Sequence, residues 1–189
     1  MAQLARLASA LSLVARLLDE LQVPYMVIGG VANLVWGNPR TTQDVDLTIE
    51  LPNERISQVI SALKVKLDLL PTDPEAFLGE THVLPVATRE GVRIDLIRAG
   101  LPFEEAAIRR AVERIVGGVR VRVATAEDLI IHKLASTRPR DLEDAVGIIR
   151  RQRASLDRVY LDPLVQSLSE TFDAPSIWET YEREMQPPS

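Results

Sequence analysis

The chain has 189 residues with a formal net charge of −5, and is 46% hydrophobic and 26% charged, a composition that excludes a disordered, collagenous or coiled-coil protein. It has no cysteine and only 4% aromatic residues, which excludes disulfides, thiolate zinc sites and cysteine nucleophiles and leaves too little aromatic surface to stack on single-stranded nucleic acid. The acidic balance also argues against a broad, sequence-independent grip on nucleic acid, which calls for a basic face.

Leu4, Leu7, Leu11, Val14 and Leu18 recur at spacings of three and four, with Arg6 and Arg16 off the stripe, so the first nineteen residues are predicted as an amphipathic helix. Its charges and the lack of a following small-residue cleavage site argue against a secretory signal or a membrane span. The expectation is a cytoplasmic protein with no membrane partner.

Tyr25-Met26-Val27-Ile28 reads as a short buried strand ended by Gly29-Gly30, whose backbone freedom permits a tight turn. Val31 to Trp36 suits a short helix, broken by Gly37-Asn38-Pro39. Asp44 to Glu50 alternates polar and apolar residues, the pattern of a strand with one buried face. Asn53 is placed to cap a helix bearing Ile56, Val59, Ile60 and Leu63, and Pro71 and Pro74 bracket a turn.

Two strands follow, His82 to Thr88 and Val92 to Ile97, joined by Arg89-Glu90-Gly91. In the second, Arg93, Asp95 and Ile97 share one face and Val92, Ile94 and Leu96 the other. A helix from Phe103 to Arg114 and a hairpin around Gly117-Gly118 complete the mixed portion. Beyond it the pattern is helical. One helix is opened by Thr125 with Asp128 in a capping-box variant and runs through Ser136, another spans Asp141 to Arg151, and two more are punctuated by Pro163 and Pro175.

The expected fold is therefore α/β (α+β): a mixed β-sheet core flanked by helices over residues 1–124, then a helical C-terminal lobe over 125–189. The terminal Pro-Pro-Ser is expected to fray.

Residues two apart on a strand project from one face, about 6.5 Å apart along it. Asp44 and Asp46 are such a pair, with Val45 facing the core between them. Two carboxylates on one face repel unless cations lie between them, and paired Mg²⁺ ions about 3.5–4 Å apart are the common solution in phosphoryl and nucleotidyl transfer. Such a site needs a third carboxylate from another strand, for which Asp95 in Arg-Ile-Asp-Leu-Ile is the candidate. Any one of these acids serves equally well as a solvated residue on a sheet surface, but aspartate is disfavoured inside strands, and three shift the balance. Gly29-Gly30 opens a helix whose free amides and dipole can hold a triphosphate.

The passage Val27-Ile28-Gly29-Gly30 followed by Gly37-Asn38-Pro39-Arg40-Thr41-Thr42-Gln43-Asp44-Val45-Asp46-Leu47 resembles the signature of the polymerase-β-like nucleotidyltransferase superfamily. The Arg-Thr-Thr-x-Asp-x-Asp form, with Ala126 to Ala135 and Arg138 to Asp144, is similar to the branch of abortive-infection type nucleotidyltransferase toxins. The resemblance covers residues 24 to 150. It implies a nucleotidyltransferase core in which Gly29 and Gly30 contact the triphosphate and Asp44, Asp46 and Asp95 hold two Mg²⁺, with Asp95 helping to activate the attacking hydroxyl. It also implies that Lys133 and Arg140 bind phosphate, that Arg40 and Thr42 line the mouth of the metal site and bind nucleotide, and that Arg140, Asp141 and Asp144 form a mixed cluster. Lys133 is one of only three lysines against nineteen arginines, and a compact ammonium suits a polyphosphate; its alternative is a solvated helix position. Asp141 serves equally well as a helix N-cap. The superfamily more often has serine where this chain has Gly30.

The expected activity is transfer of a nucleoside monophosphate from a nucleoside triphosphate to an acceptor hydroxyl on RNA, protein or a small molecule, with a cognate antitoxin as a further partner. A non-catalytic nucleotide-binding module is the alternative. A two-metal nuclease would fit the carboxylates but not the glycine turn. His82 and His132 lack partners at metal-ligand spacing.

Overall fold

The computed structural model describes residues 2–136 and 138–187. Pro188 and Ser189, within the end expected to fray, and the side chain of Leu4 lie outside the described residues. The chain forms two compact units, Met1–Val31 with Thr41–Ala124, and Ala32–Arg40 with Thr125–Ser189. Residues 32–40, expected in the sheet-bearing half, thus belong to the helical unit.

Among the described residues the first unit contains a seven-stranded mixed sheet. Its strands are β1 (Tyr25–Val27), β2 (Val45–Ile49), β3 (Asp68–Leu69), β4 (Val83–Ala87), β5 (Arg93–Arg98), β6 (Val112–Val116) and β7 (Val119–Val123), in spatial order β3-β4-β5-β2-β1-β7-β6. β2 runs antiparallel to β1 and parallel to β5, and β1 runs parallel to β7. β2 lies between β5 and β1, and its Val45, Leu47 and Ile49 are fully buried. Thr48 is buried as well, so the expected polar-apolar alternation stops after Asp46; interior strands covered on both faces lose it for this reason.

Helix α1 (Ala2–Glu20) packs on β7 and β2, with Leu7, Leu11, Val14 and Leu18 buried as its stripe predicts. The first turn of α2 (Gly29–Trp36) follows β1, and the division between the units falls inside this helix. Asn53 does not cap a helix. Asn53–Arg55 is a 3-10 turn that leads into α3 (Ile56–Leu63). The turn expected between Pro71 and Pro74 gives way to α4 (Pro74–Thr81): Asp73 accepts from the Ala76 N–H at 3.1 Å, Pro74 stands at the first helical position, and His82 ends the helix at φ 59°. Such a start is favourable, but with Leu78 as its one buried residue the helix shows no apolar periodicity.

Helix α5 (Pro102–Arg110) lies against β1 and β2 and stops four residues before the expected Arg114. Ala111 is extended and Val112–Val116 pair with β7 as β6; the β-branched residues of that stretch favour a paired strand over another helical turn.

The second unit packs α6 (Ala126–Leu134), α7 (Pro139–Gln152), α8 (Arg158–Thr171) and α9 (Pro175–Met185), with α6 against α7 and α8, and α9 against α7 and α8. Thr125 caps α6 by accepting from the Asp128 N–H at 3.1 Å. Pro163 lies inside α8, which begins earlier at the N-cap Asp157, so it does not punctuate the chain; Pro175 does stand at the start of α9. Residues 32–40 are fastened here by Gln152, which donates to the Trp36 carbonyl at 2.9 Å, and Arg151, which donates to that of Gly37 at 2.8 Å. No helix among the described residues is long and apolar enough to cross a membrane.

Candidate active site

The sheet-bearing unit places Gly29, Gly30, Thr42, Asp44, Asp46 and Asp95 on neighbouring elements. Gly29 opens α2 at φ +62°, a left-handed conformation costly for other residues. A Cβ added there would lie 1.9 Å from Asp46 Oδ2, so the Asp46 carboxylate sits directly against the turn. The Ile28 N–H donates to the Asp46 carbonyl at 2.9 Å, which ties the end of β1 to β2 at this point.

Gly30 is explained by Thr42. A Cβ at Gly30 would meet Thr42 Oγ1 at 2.4 Å and Thr42 Cβ at 2.7 Å. Thr42 is buried, and its hydroxyl donates to Asp44 Oδ1 at 3.1 Å. The threonine hydroxyl thus fills the space a serine at position 30 would take. Gly30→Ser alone is expected to lower the melting temperature by several degrees, the consequence of about 1–3 kcal/mol of overpacking. Gly30→Ser with Thr42→Gly should recover most of that loss, and thermal melts of the three variants check it.

In the parallel ladder of β2 and β5, Asp46 is the register partner of Asp95, and Val45 that of Ile94. Register partners point to the same face, so Asp46 and Asp95 stand side by side, with Asp44 one residue before β2. Asp95 is engaged by Arg93, whose Nε lies 2.9 and 3.2 Å from its two oxygens. The shared face of Arg93 and Asp95 was legible from strand alternation; the ion pair was not.

Asp44, Asp46 and Asp95 all carry oxygen donors of the kind hard divalent cations prefer. With Asp46 in a cradle that a Cβ at position 29 would obstruct, these residues fit the Mg²⁺ that the resemblance implies. Among the described residues, no group of three or more His, Cys, Asp or Glu side chains is drawn together as a preformed metal cluster.

The other sequence candidates lie in the helical unit, where Arg40, Lys133, Asp141 and Asp144 engage one another. Lys133, on α6, is only 5% exposed; its ammonium lies 2.5 Å from Asp141 Oδ1 and 2.9 Å from Asp144 Oδ2. Asp141 also accepts from the Ser136 hydroxyl at 2.7 Å and Arg138 Nε at 2.6 Å, and Asp144 from Arg40 through Nε at 2.9 Å and Nη2 at 2.8 Å. Lys133 is thus neither a solvated helix residue nor held out as a lone cation: α6 is buried on most sides, and two aspartates neutralise the charge it carries inward. Asp141 lies within the first turn of α7, whose N-cap position is Arg138, so it is not the N-cap. Arg140 is exposed on the same helix.

Burial pushes the Asp141 carboxyl up, but hydrogen bonds from Lys133 and Ser136 and the charges of Lys133 and Arg138 outweigh it, so its pKa lies below the ordinary value. Asp144 is likewise raised by burial and brought below its ordinary value by hydrogen bonds from Arg40 and Lys133 and by their charges. A carboxylate with a lowered folded-state pKa stabilises the fold fully above its unfolded pKa and loses that contribution as pH falls through the folded one. Helical content followed by circular dichroism against pH should therefore hold near neutrality and fall below about pH 4, and Asp144→Asn should flatten that acid limb.

A mixed sheet with a glycine turn at the start of a helix and acids in register on adjacent strands defines the class: a nucleotidyltransferase fold. It is similar to an antigenic nucleotidyltransferase-like protein from Paracoccidioides brasiliensis, at 18% identity over 95% of this chain and 93% of that one, with a TM-score of 0.53. It is also similar to the antibiotic-resistance factor ANT(2'')-Ia in solution, at 16% identity over 89% of this chain and 95% of that one, with a TM-score of 0.57. Residues 7–178 match the family described as nucleotidyl transferase of unknown function (DUF2204). The chain belongs to that family and is a transferase. No curated protein matches it.

Proposed function

We propose that the protein transfers a nucleoside monophosphate from a nucleoside triphosphate to an acceptor hydroxyl, in a Mg²⁺-dependent reaction that releases pyrophosphate. The observation that carries this reading is the pairing of Asp46 with Asp95 across β2 and β5, with the Asp46 carboxylate against the Gly29 turn.

Asp44, Asp46 and Asp95 would hold two Mg²⁺, whose bound charge would neutralise phosphate oxygens and favour ionisation of the attacking hydroxyl. The first turn of α2 directs backbone N–H groups and the positive end of its dipole toward the triphosphate. Thr42 fixes Asp44 through its hydroxyl, and Ile28 fixes the backbone of Asp46. Asp95 accepts the proton of the acceptor hydroxyl as its oxygen bonds to the α-phosphorus. The bond from that phosphorus to the β-phosphate bridging oxygen breaks, and pyrophosphate leaves with the electron pair.

In the helical unit, the hydrogen bonding of Lys133, Arg40, Asp141 and Asp144 favours a structural role for these four residues; a phosphate-binding role for Arg140 rests on the resemblance alone. Assignment to the toxin branch, with its antitoxin partner, rests on the Arg-Thr-Thr-x-Asp-x-Asp form. RNA ends, protein hydroxyls and small molecules are the acceptor classes to distinguish, and the fold shared with an antibiotic-resistance factor puts small molecules in the first screen. The test is pyrophosphate release from each of the four triphosphates with Mg²⁺ and total RNA, total protein or a panel of hydroxyl-bearing antibiotics. Absence of release with every acceptor would count against the reading.

A further inference from the structure

Arg93 stands beside the acids of the candidate site. It lies two residues from Asp95 on the same face of β5, and its Nε donates to both carboxylate oxygens. Its side chain is 56% exposed while that of Asp95 is 18% exposed, so the arginine reaches in from solvent to a carboxylate held by the sheet. Val45 pairs with Ile94 and Asp46 with Asp95, and Asp44 lies one residue before β2. Two strands therefore present the Asp46 and Asp95 carboxylates and the Arg93 guanidinium on a single face. The sheet requires no arginine there: Arg93 is on the solvent side of β5, and its neighbours Val92 and Ile94 supply the buried contacts.

We propose that Arg93 is a displaceable counter-ion of Asp95, a positioning residue that holds the carboxylate until a divalent cation takes it and so lowers the affinity of the acidic trio for that cation. The inference rests on reading the trio as cation ligands. A planar guanidinium donating to a carboxylate from one edge occupies the oxygens a metal would use. A dication arriving at Asp95 must break that pair and meets a positive charge about 3 Å from its ligand, so cation and guanidinium compete. Because the arginine is exposed, its release requires a side-chain rotation with no change in the sheet.

Mn²⁺ alone is the probe, titrated into the full chain by calorimetry with free Mn²⁺ followed by its paramagnetic resonance. Arg93→Gln is expected to bind about tenfold more tightly than wild type, within the range usual for coupled sites. Arg93→Lys, which keeps the charge, should stay close to wild type, and Arg93→Gln should bring no gain when Asp95→Asn is already present. Equal or weaker binding by Arg93→Gln, or a gain that persists with Asp95→Asn, overturns the proposal. Asp46→Asn separates the two levels. If Arg93→Gln has no effect while Asp46→Asn weakens binding, the counter-ion role fails and the cation-binding trio stands. If neither substitution alters binding, both fail.

Discussion

Asp46→Asn is expected to lower nucleotidyl transfer by at least about 10³-fold, since charge stabilisation at such a site supplies several kcal/mol and each 1.36 kcal/mol is a factor of ten. The melting temperature should stay near that of the wild type. The substitution keeps the shape of the side chain against Gly29 and removes one of two like charges in register, so folding loses little. Pyrophosphate release under saturating triphosphate and Mg²⁺, read beside a thermal melt, checks both halves. A variant retaining a tenth of the wild-type rate with an unchanged melt would remove Asp46 from the chemistry and, with it, the proposed function.

Lys133→Ala is expected to have the largest effect on stability, about 3 kcal/mol, the lower end of the range for removing one partner from a buried ion pair. The lower end applies because Arg138 still reaches Asp141 and Arg40 still reaches Asp144. Denaturant unfolding at pH 7 measures it. Adding Asp144→Asn to Lys133→Ala should recover part of the loss, because one buried carboxylate then no longer needs a cation. A phosphate-binding lysine with no structural duty predicts the reverse pattern: unchanged unfolding and weaker triphosphate binding. The same pair of measurements on one variant therefore decides between the role the resemblance implies and the one the ion pairs favour.

The sheet was legible where local pattern and tertiary demand agree. Tyr25 to Ile28, Asp44 to Glu50 and Val92 to Ile97 each hold an apolar run or a two-residue alternation; β1 and β2 lie within the first two, and β5 covers the third from Arg93 and runs one residue past it to Arg98. Legibility failed where a segment takes its structure from a partner. Val112–Val116 resembles a continuing charged helix until β7 is available to pair with it, and the two residues of β3 have meaning only beside β4.

The candidate site divides in the same way. Strand alternation places Asp46, Asp95 and Arg93, while Asp44, read as part of the same strand, lies one residue before it, and Gly29-Gly30 announces a helix start. That Arg93 bonds Asp95, or that Thr42 fills the space above Gly30, depends on rotamers no sequence spacing determines. The lysine cluster was hidden for another reason: Arg40 and Asp144 are 104 residues apart, and the packing of α6 on α7 brings Lys133 to the aspartates.

The interleaving of the two units has a consequence for modularity. The chain leaves the sheet-bearing unit after Val31, returns at Thr41 and leaves again after Ala124, so the helical unit is not a cassette appended at one end. A cut after Ala124 would remove Gln152, Arg151 and Asp144, the residues that fasten Trp36, Gly37 and Arg40. The orphaned stretch 32–40 would remain in the truncated product, four residues upstream of Asp44. Helical units exchanged between relatives at that boundary would carry the same mismatch. Recombination that preserves a working core must therefore exchange residues 32–40 together with 125–189, as two pieces inherited as one.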